Sequence, residues 1–479
     1  MLKKIKALLF ENQTQKQTIA KNTFWLFSGQ IGGRMLRAIL IIFAARVLGP
    51  ESWGAFSYAT TLVVFLLLFS DIGVSAIVTR ESARNPELSR QYFSTAFFLK
   101  IAFLLASVSF LIFGGPLITN IPEARALLPL IAILLIFDSI RNFGFAIILA
   151  TEKMHWEAIN EIATNFLIII AGFYFLTTAP SSADLTLAYV IGTGFGMAIT
   201  VILLKDYFKN IFTHFQYRLI RPIINASLPF ALASFLGAIM LNTDLIMLGW
   251  LRSPAEVGFY SAAQKPIQVL YTLASLFATS LFPVFTRLTA KKEQSKELLE
   301  NSIVTSLFFA LPITFSGLIL SRPLINLFFG AEYAPAAVAF QILILTLPII
   351  FSSVIISNSL LAHNQQNKFV WFSALGAIGN VIFNFLLIPI WGIFGCALST
   401  LITQIIANSF IWKKMKETID FSITGKILKI IAASIISAGT ALLLNNSSVP
   451  ILINIPIIIA VYWGLLIVFK EKLIKKIIS

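Results

Sequence analysis

Arg34 and Arg37 lie in SGQIGGRMLRAILIIFAARVLG, residues 28–49, a stretch otherwise apolar enough to cross a membrane. Arg34 follows Phe24 by ten residues, or about 15 Å of helix, which sets it near the bilayer midplane. Gln30, Arg34 and Arg37 fall at i, i+4 and i+7 and form one polar stripe. Gly29, Gly32 and Gly33 beside it allow a neighbour or ligand to approach the backbone. An arginine at the bilayer centre costs roughly 3 kcal/mol on insertion scales. Two in one span need a partner or a wet cavity, so both should face inward.

Further charges fall inside apolar segments: Asp71, Lys100, Asp138, Arg141, Asp244 and Lys265. Lys265 shares a stripe with Ser261 and Gln268. Cations outnumber anions in this set. A cationic cavity suits an anionic ligand, and phosphate is the natural one because a guanidinium binds it bidentately. The expected ligand-binding set is Arg34, Arg37, Arg141, Lys265, Gln30 and Gln268. The acids Asp71, Asp138 and Asp244 are the candidates for ion coupling. Each has a plainer reading. Arg34 and Arg37 could pair with acids on neighbouring spans, Asp71 among them. Asp138 and Arg141, three residues apart, could pair with each other. Lys100 could snorkel to the inner surface. Asn380, Asn384, Gln404 and Asn408 fit interhelical hydrogen bonding.

The elements that must position these residues are membrane helices. The chain has 479 residues, 58% hydrophobic and 12% charged, with a mean hydropathy of +0.87. A soluble core does not need that much apolar surface. Runs such as LLPLIAILLIF at 127–137 and VPILINIPIIIAVYWGLLIVF at 449–469 recur throughout. Those near 20 residues are long enough for about 30 Å of hydrocarbon. Fourteen apolar segments can be counted, from 22–48 to 449–469. The fold class is an all-α polytopic membrane protein.

With the N-terminus placed inside, 27 of the 36 Lys and Arg fall in inner tails and loops, and four, Arg46, Arg125, Arg252 and Arg322, fall outside. That bias predicts an even number of spans with both termini cytoplasmic. It also accounts for the net charge of +15 without nucleic acid. Trp25, Trp53, Trp156, Trp250, Trp371, Trp391 and Trp412 fall near segment ends, as indoles prefer. MLKKIKALLF lacks a cleavage site and puts Leu2, Ile5 and Leu9 on one face, so residues 1–21 read as a cytoplasmic amphipathic segment on the inner membrane surface.

An internal repeat organises the rest. LGPESWGAFSYA at 48–59 aligns with RSPAEVGFYSAA at 252–263, sharing Pro50/Pro254, Gly54/Gly258, Ser57/Ser261 and Ala59/Ala263 at a constant offset of 204. ILATEKMHW at 148–156 and LLAHNQQNKF at 360–369 form a second pair, each preceding an asparagine-bearing helix: Asn165 in one, and Asn380 with Asn384 in the other. Six spans per copy keep both copies in one orientation, which predicts two parallel six-helix lobes, 22–221 and 222–412, with residues 413–479 carrying two more spans and a cytoplasmic tail. At the repeat offset, Arg34 maps to Ala238 and Arg37 to Leu241. The scaffold is kept while the arginines are not, which favours a cavity role over an architectural one.

Enzyme chemistry has little to stand on. His155, His214 and His363 are scattered in loops, and the single cysteine, Cys396, fits no metal or disulfide pattern. GTGFG at 192–196 lies inside an apolar segment and does not follow a strand, so it is not a nucleotide loop. The outer loops are too short for the catalytic loop of a membrane glycosyltransferase or polymerase. No cofactor or metal is expected.

The stretch 22–84, together with LNTDLIMLGW (241–250), VGFYSAAQKPIQ (257–268), FFGAEYAPAAVAFQIL (328–343) and GNVIFNFLLIPIWGIFGCALST (379–400), resembles the polysaccharide-biosynthesis flippases. These are the Wzx-type O-antigen and repeat-unit exporters of the multidrug/oligosaccharidyl-lipid/polysaccharide exporter superfamily. The resemblance covers nearly the whole chain, through loose motifs in a specific order. It implies a multidrug-exporter-like fold, alternating access, and transport of undecaprenyl-diphosphate-linked oligosaccharide across the cytoplasmic membrane, with proton coupling proposed for the family. It implies the lipid-linked oligosaccharide and membrane lipids as partners, with polysaccharide polymerase or assembly proteins beside them. Arg34, Arg37 and Lys265 match the family's cavity cations. The rival readings are a peptidoglycan lipid-precursor flippase, a multidrug antiporter of the same fold and, from another class, a membrane glycosyltransferase or polymerase.

Overall fold

In hydrocarbon every backbone N–H and C=O must be satisfied within the segment, so long apolar runs become helices. A computed structural model describes residues 15–447 and 449–469. The expected amphipathic face of Leu2, Ile5 and Leu9 lies outside them, as does the side chain of Gln30. Among the described residues there are no strands. Fourteen helices of nine or more residues follow one another: α1 Gln15–Asp71, α2 Val74–Arg84, α3 Ser89–Ser109, α4 Pro122–Ala150, α5 Met154–Thr178, α6 Ser182–Leu203, α7 Ile220–Leu251, α8 Pro254–Leu288, α9 Lys292–Phe329, α10 Ala336–Ile344, α11 Thr346–Ala362, α12 Gln366–Thr418, α13 Thr424–Asn446 and α14 Ile451–Val468.

Among the described residues, twelve helical stretches are long and apolar enough to cross a membrane. Two of them run for 51 and 53 residues, room for two crossings each. Both are broken by a glycine with non-helical dihedrals: Gly49 (φ 72°) in α1 and Gly392 (φ 55°) in α12. The first break falls between the first and second of the fourteen apolar segments, and the second lies one residue inside the start of the twelfth, 391–412. The protein is a multi-pass membrane protein. Phe113, Leu117 and Leu443 are 77%, 84% and 68% exposed, which suits helix faces turned to lipid.

One boundary differs from the sequence expectation. The second segment, read as continuous over 54–79, stops at Asp71. Ile72 (φ 44°) and Gly73 (φ 74°) both take left-handed backbone there. A side chain at Gly73 would also collide with the Ser227 carbonyl, 2.8 Å from the Cβ position. Asp71 therefore ends a helix instead of sitting in the middle of one.

The chain divides into two compact units, with the boundary inside α7 at Ala238/Ile239 and residues 253–255 grouped with the first unit. In the first unit, an aromatic cluster around Phe93 gathers Phe143, Tyr207 and Phe208 within 5.3 Å between ring centres. GTGFG lies within α6, and its glycines are packing sites: a Cβ at Gly192 would meet Ile168, at Gly194 Phe137, and at Gly196 Thr164. In the second unit, α13 and α14 dock on α9. Lys426 Nζ donates to Glu300 at 2.7 Å, and the Tyr462 hydroxyl donates to the Phe308 carbonyl at 2.7 Å. The turns that open the second repeated motif share one device: Glu152 and Asn364 both take left-handed backbone, at φ 57° and 58°.

Candidate functional site

In the first unit α1 and α5 lie side by side and run in the same direction. Gly29 meets Ala158, Gly33 meets Asn165, and Leu40 meets Gly172. Small residues permit this approach. A Cβ at Gly29 would sit 2.7 Å from the Ala158 Cα, and one at Gly33 would sit 2.7 Å from Asn165 Nδ2. Between them opens a cavity of about 320 Å³. Arg34 and Arg37 line it from α1, Asn142 and Phe145 from α4, and Glu157, Glu161 and Asn165 from α5.

Arg37 is held in place. Its Nε donates to Asn165 Oδ1 at 2.9 Å, and its guanidinium lies 5.6 Å from the centre of the Tyr189 ring. Asn165 is itself fixed, donating from Nδ2 to the Glu161 carbonyl at 2.7 Å. Arg34 is exposed, with Arg37 and Glu161 as the charges acting on it. Arg34 and Arg37 on α1 thus face a cavity in which a second stripe, Glu157, Glu161 and Asn165, rises on α5 at intervals of four residues, about 6 Å of helix each.

Arg141 is buried beside this cavity and committed to two acids. Nη2 donates to Asp138 at 2.8 Å and Nη1 to Glu161 at 2.9 Å, while Phe145 covers its plane at 5.6 Å. The Asp138–Arg141 pairing that the three-residue spacing suggested is present, extended by Glu161. Gly196 provides the room, since a Cβ there would lie 3.0 Å from Arg141 Cδ. Lys100 is turned into the protein instead of snorkelling outward. It is 3% exposed, donates to Asp71 Oδ1 at 2.6 Å and lies 5.7 Å from the Phe143 ring centre. Asp71 also accepts from the Ser75 hydroxyl.

The expected cationic surplus is altered by two acids that sequence reading missed. Around the cavity stand Arg34, Arg37 and Arg141 against Asp138, Glu157 and Glu161, three charges of each sign. Glu157 and Glu161 lie in the first two turns of α5, where a charge reads as a membrane-border residue. Their spacing with Asn165 on one helix face was the available signal.

The second unit holds Asp244, Lys265 and Gln268. Asp244 is 1% exposed. Its Oδ1 accepts from Asn380 and Asn384 at 2.9 and 2.8 Å, and its Oδ2 accepts from Tyr260 and Thr400 at 2.6 and 2.9 Å. All four donors are neutral. The two asparagines are indeed interhelical links, and their partner is this carboxylate. Lys265 and Gln268 are half-buried on α8. Among the described residues, no group of three or more His, Cys, Asp or Glu side chains is placed to hold a metal ion.

A family model described as polysaccharide biosynthesis protein matches residues 19–289, and the MatE model matches residues 229–386. The capsular polysaccharide biosynthesis protein CapF of Staphylococcus aureus is 23% identical over 399 residues, 81% of this chain and 97% of its own length. A probable low-salt glycan biosynthesis flippase, Agl15 of Haloferax volcanii, is 24% identical, over 80% of each chain. A putative O-antigen transporter of Escherichia coli is 20% identical over 83% of this chain and 96% of its own. In fold, the lipid II flippase MurJ in an inward closed conformation superposes with a TM-score of 0.78 at 20% identity, over 94% of this chain and 99% of its own. An inward-facing multidrug resistance MATE transporter superposes with a TM-score of 0.65 at 14% identity, over 81% and 95%.

Proposed function

The chain belongs to the polysaccharide biosynthesis protein family, within the multidrug/oligosaccharidyl-lipid/polysaccharide exporter superfamily, and from that membership we propose a specific task. The protein flips undecaprenyl-diphosphate-linked oligosaccharide across the cytoplasmic membrane by alternating access. The observation that carries this reading is the pair of arginines facing one polar cavity from the interior of an apolar helix. Arg34, exposed to the cavity, takes the diphosphate. Arg37, locked at Nε by Asn165 and backed by Tyr189, offers its terminal nitrogens as a preformed second donor. Preorganised guanidinium donors hold phosphate with two parallel hydrogen bonds each. The sugar occupies the wet cavity, and the polyprenyl tail stays in lipid.

Lys265 and Gln268 remain proposed contacts for the same substrate, with Arg141 acting through Glu161. Ion coupling falls to Asp71, Asp138 or Asp244. Asp71 and Asp138 are held in ion pairs, whereas Asp244 is surrounded by neutral donors, so its charge is the one open to a coupling ion. The distribution of Lys and Arg supports a cytoplasmic-membrane location with both termini inside. Polymerase and assembly proteins are natural partners downstream of such a step.

The test is the lipid-linked glycan pool of cells lacking the gene. Extraction, release of glycans from the polyprenyl diphosphate and mass spectrometry should show one glycan accumulating. Re-expression should clear it, and the Arg34→Ala/Arg37→Ala variant, present at normal levels, should not. Normal clearance by that variant refutes the arginine assignment. A lipid-linked peptidoglycan precursor is the second reading, since it presents the same diphosphate and a flippase for such a lipid shares the fold. Its accumulation in place of an oligosaccharide would select that substrate.

A further inference from the structure

The cavity that faces Arg34 and Arg37 is not simply cationic. Glu157 lies across it on α5, half-buried, and its Oε2 is shut off from solvent with no hydrogen-bond partner. One turn further along α5, Glu161 has what Glu157 lacks, an arginine at 2.9 Å. The groups facing Glu157 come from three helices: Glu161 on its own, Arg141 with Asp138 on α4, and Arg34 and Arg37 on α1. Lys21 and Lys153 lie further out, where both act on His155. Arg141 is shared between Asp138 and Glu161, so it does not serve Glu157 directly. The resting site holds three positive and three negative charges.

A diphosphate entering this site brings at least two negative charges to within a helix turn or two of Glu157. With every acid ionised, the ligand would meet a neutral cavity containing a carboxylate that has no ion-pair contact of its own. Removing that one charge restores a net positive site at the moment of binding. We propose that Glu157 takes up a proton when the lipid diphosphate binds Arg34 and Arg37 and releases it when the diphosphate leaves, making it the residue that links substrate occupancy to proton movement. The step is a proton transfer from water in the cavity to the half-buried Glu157 carboxylate and back, with no bond made to the substrate. Binding and protonation favour each other by linkage, and the coupling is reciprocal. The inference rests on the reading of Arg34 and Arg37 as the diphosphate site. It gives Glu157 a role separate from that of Asp244.

Calorimetry of the purified full-length protein in detergent, titrated with undecaprenyl diphosphate carrying no sugar, measures this directly. The experiment is run at about pH 8, where the free ligand is fully charged, in two buffers of different ionisation enthalpy. Wild type should take up close to one proton per ligand bound, and its affinity should weaken by up to tenfold per pH unit as pH rises through the range of uptake. Glu157→Gln should still bind, take up no proton and lose most of that pH dependence, while Glu157→Asp should restore both. Unchanged proton uptake in Glu157→Gln overturns the proposal, as does zero uptake in wild type. If Glu157→Gln does not fold, infrared difference spectra of the wild-type protein decide. A carboxylic acid C=O band appearing on ligand binding supports the proposal, and its absence overturns it. Failure of the underlying reading looks different: undecaprenyl diphosphate either does not bind wild type or binds Arg34→Ala/Arg37→Ala equally well, and the linkage then falls with it.

Discussion

Arg141 is the residue whose role can be separated most cleanly by measurement. Its side chain is 6% exposed and its guanidinium bridges Asp138 and Glu161, whose side chains are 23% and 29% exposed. Arg141→Met fills much of the same space but leaves two acids facing each other without their cation. Breaking a buried pair by removing one partner costs about 3–5 kcal/mol. The residual exposure of both acids puts this case at the low end, about 3 kcal/mol. At roughly 2 °C per kcal/mol for a chain of this size, Arg141→Met should melt about 6 °C below wild type. Removing the stranded charges too, with Asp138→Asn and Glu161→Gln, should recover most of the loss, because apolar or neutral replacements of a buried ionic cluster are often close to neutral. Scanning fluorimetry in detergent at constant pH reads both, and added salt should change the difference little, since buried pairs are weakly screened. A single variant melting within about 1 °C of wild type would show that the bridge carries no stability. A triple variant no better than the single would show that stranded charge is not the cause.

Two further substitutions test the packing around each centre. Gly33→Ala places a methyl group 2.7 Å from Asn165 Nδ2, so Asn165 must move and release Arg37. A charge-assisted hydrogen bond of about 1.5–3 kcal/mol is lost, and undecaprenyl diphosphate affinity should fall by about tenfold or more; wild-type affinity in the same calorimetric titration would break the chain from Asn165 to Arg37. Asp244→Asn should melt close to wild type, because the hydroxyls of Tyr260 and Thr400 can turn to accept from the new amide. Asp244→Ala instead leaves the Asn380 and Asn384 amides and the Tyr260 hydroxyl without their acceptor, at about 1–3 kcal/mol each. Equal melting temperatures for the two variants would mean that the network does not hold the helices.

The helices were legible because their cause is local. An apolar run near 20 residues long becomes a helix whatever surrounds it, and the glycine break at Gly49 falls between segments already separated by hydropathy, with that at Gly392 within three residues of such a boundary. The polar stripe of Gln30, Arg34 and Arg37 was legible for the same reason, since helical spacing alone puts those positions on one face. Partners were not legible where they are far apart in the chain. Lys100 finds Asp71 at a separation of 29 residues, and Asp244 finds its four donors 16 to 156 residues away. In those cases a charge in an apolar run announces that something must satisfy it without saying what.

The two units meet that demand in opposite ways. In the first, charges answer charges: Arg141 divides itself between Asp138 and Glu161, Lys100 takes Asp71, and Arg37 is steadied by an amide and a ring. In the second, Asp244 is surrounded by hydroxyls and amides that orient toward it without cancelling its charge. Coulomb's law makes the two arrangements respond differently. An anion entering a balanced ionic cavity upsets the balance and invites a compensating proton, whereas a carboxylate solvated by neutral dipoles keeps its full charge for whatever cation reaches it. The surplus of arginine and lysine in the sequence hid this difference, because Glu157 and Glu161, where a membrane helix begins, were left out of the set of in-span charges. An acid at such a border changes meaning once a glycine-lined neighbour brings an arginine stripe alongside. Gly29 and Gly33 on α1 do that here, and they turn two border charges into part of the site.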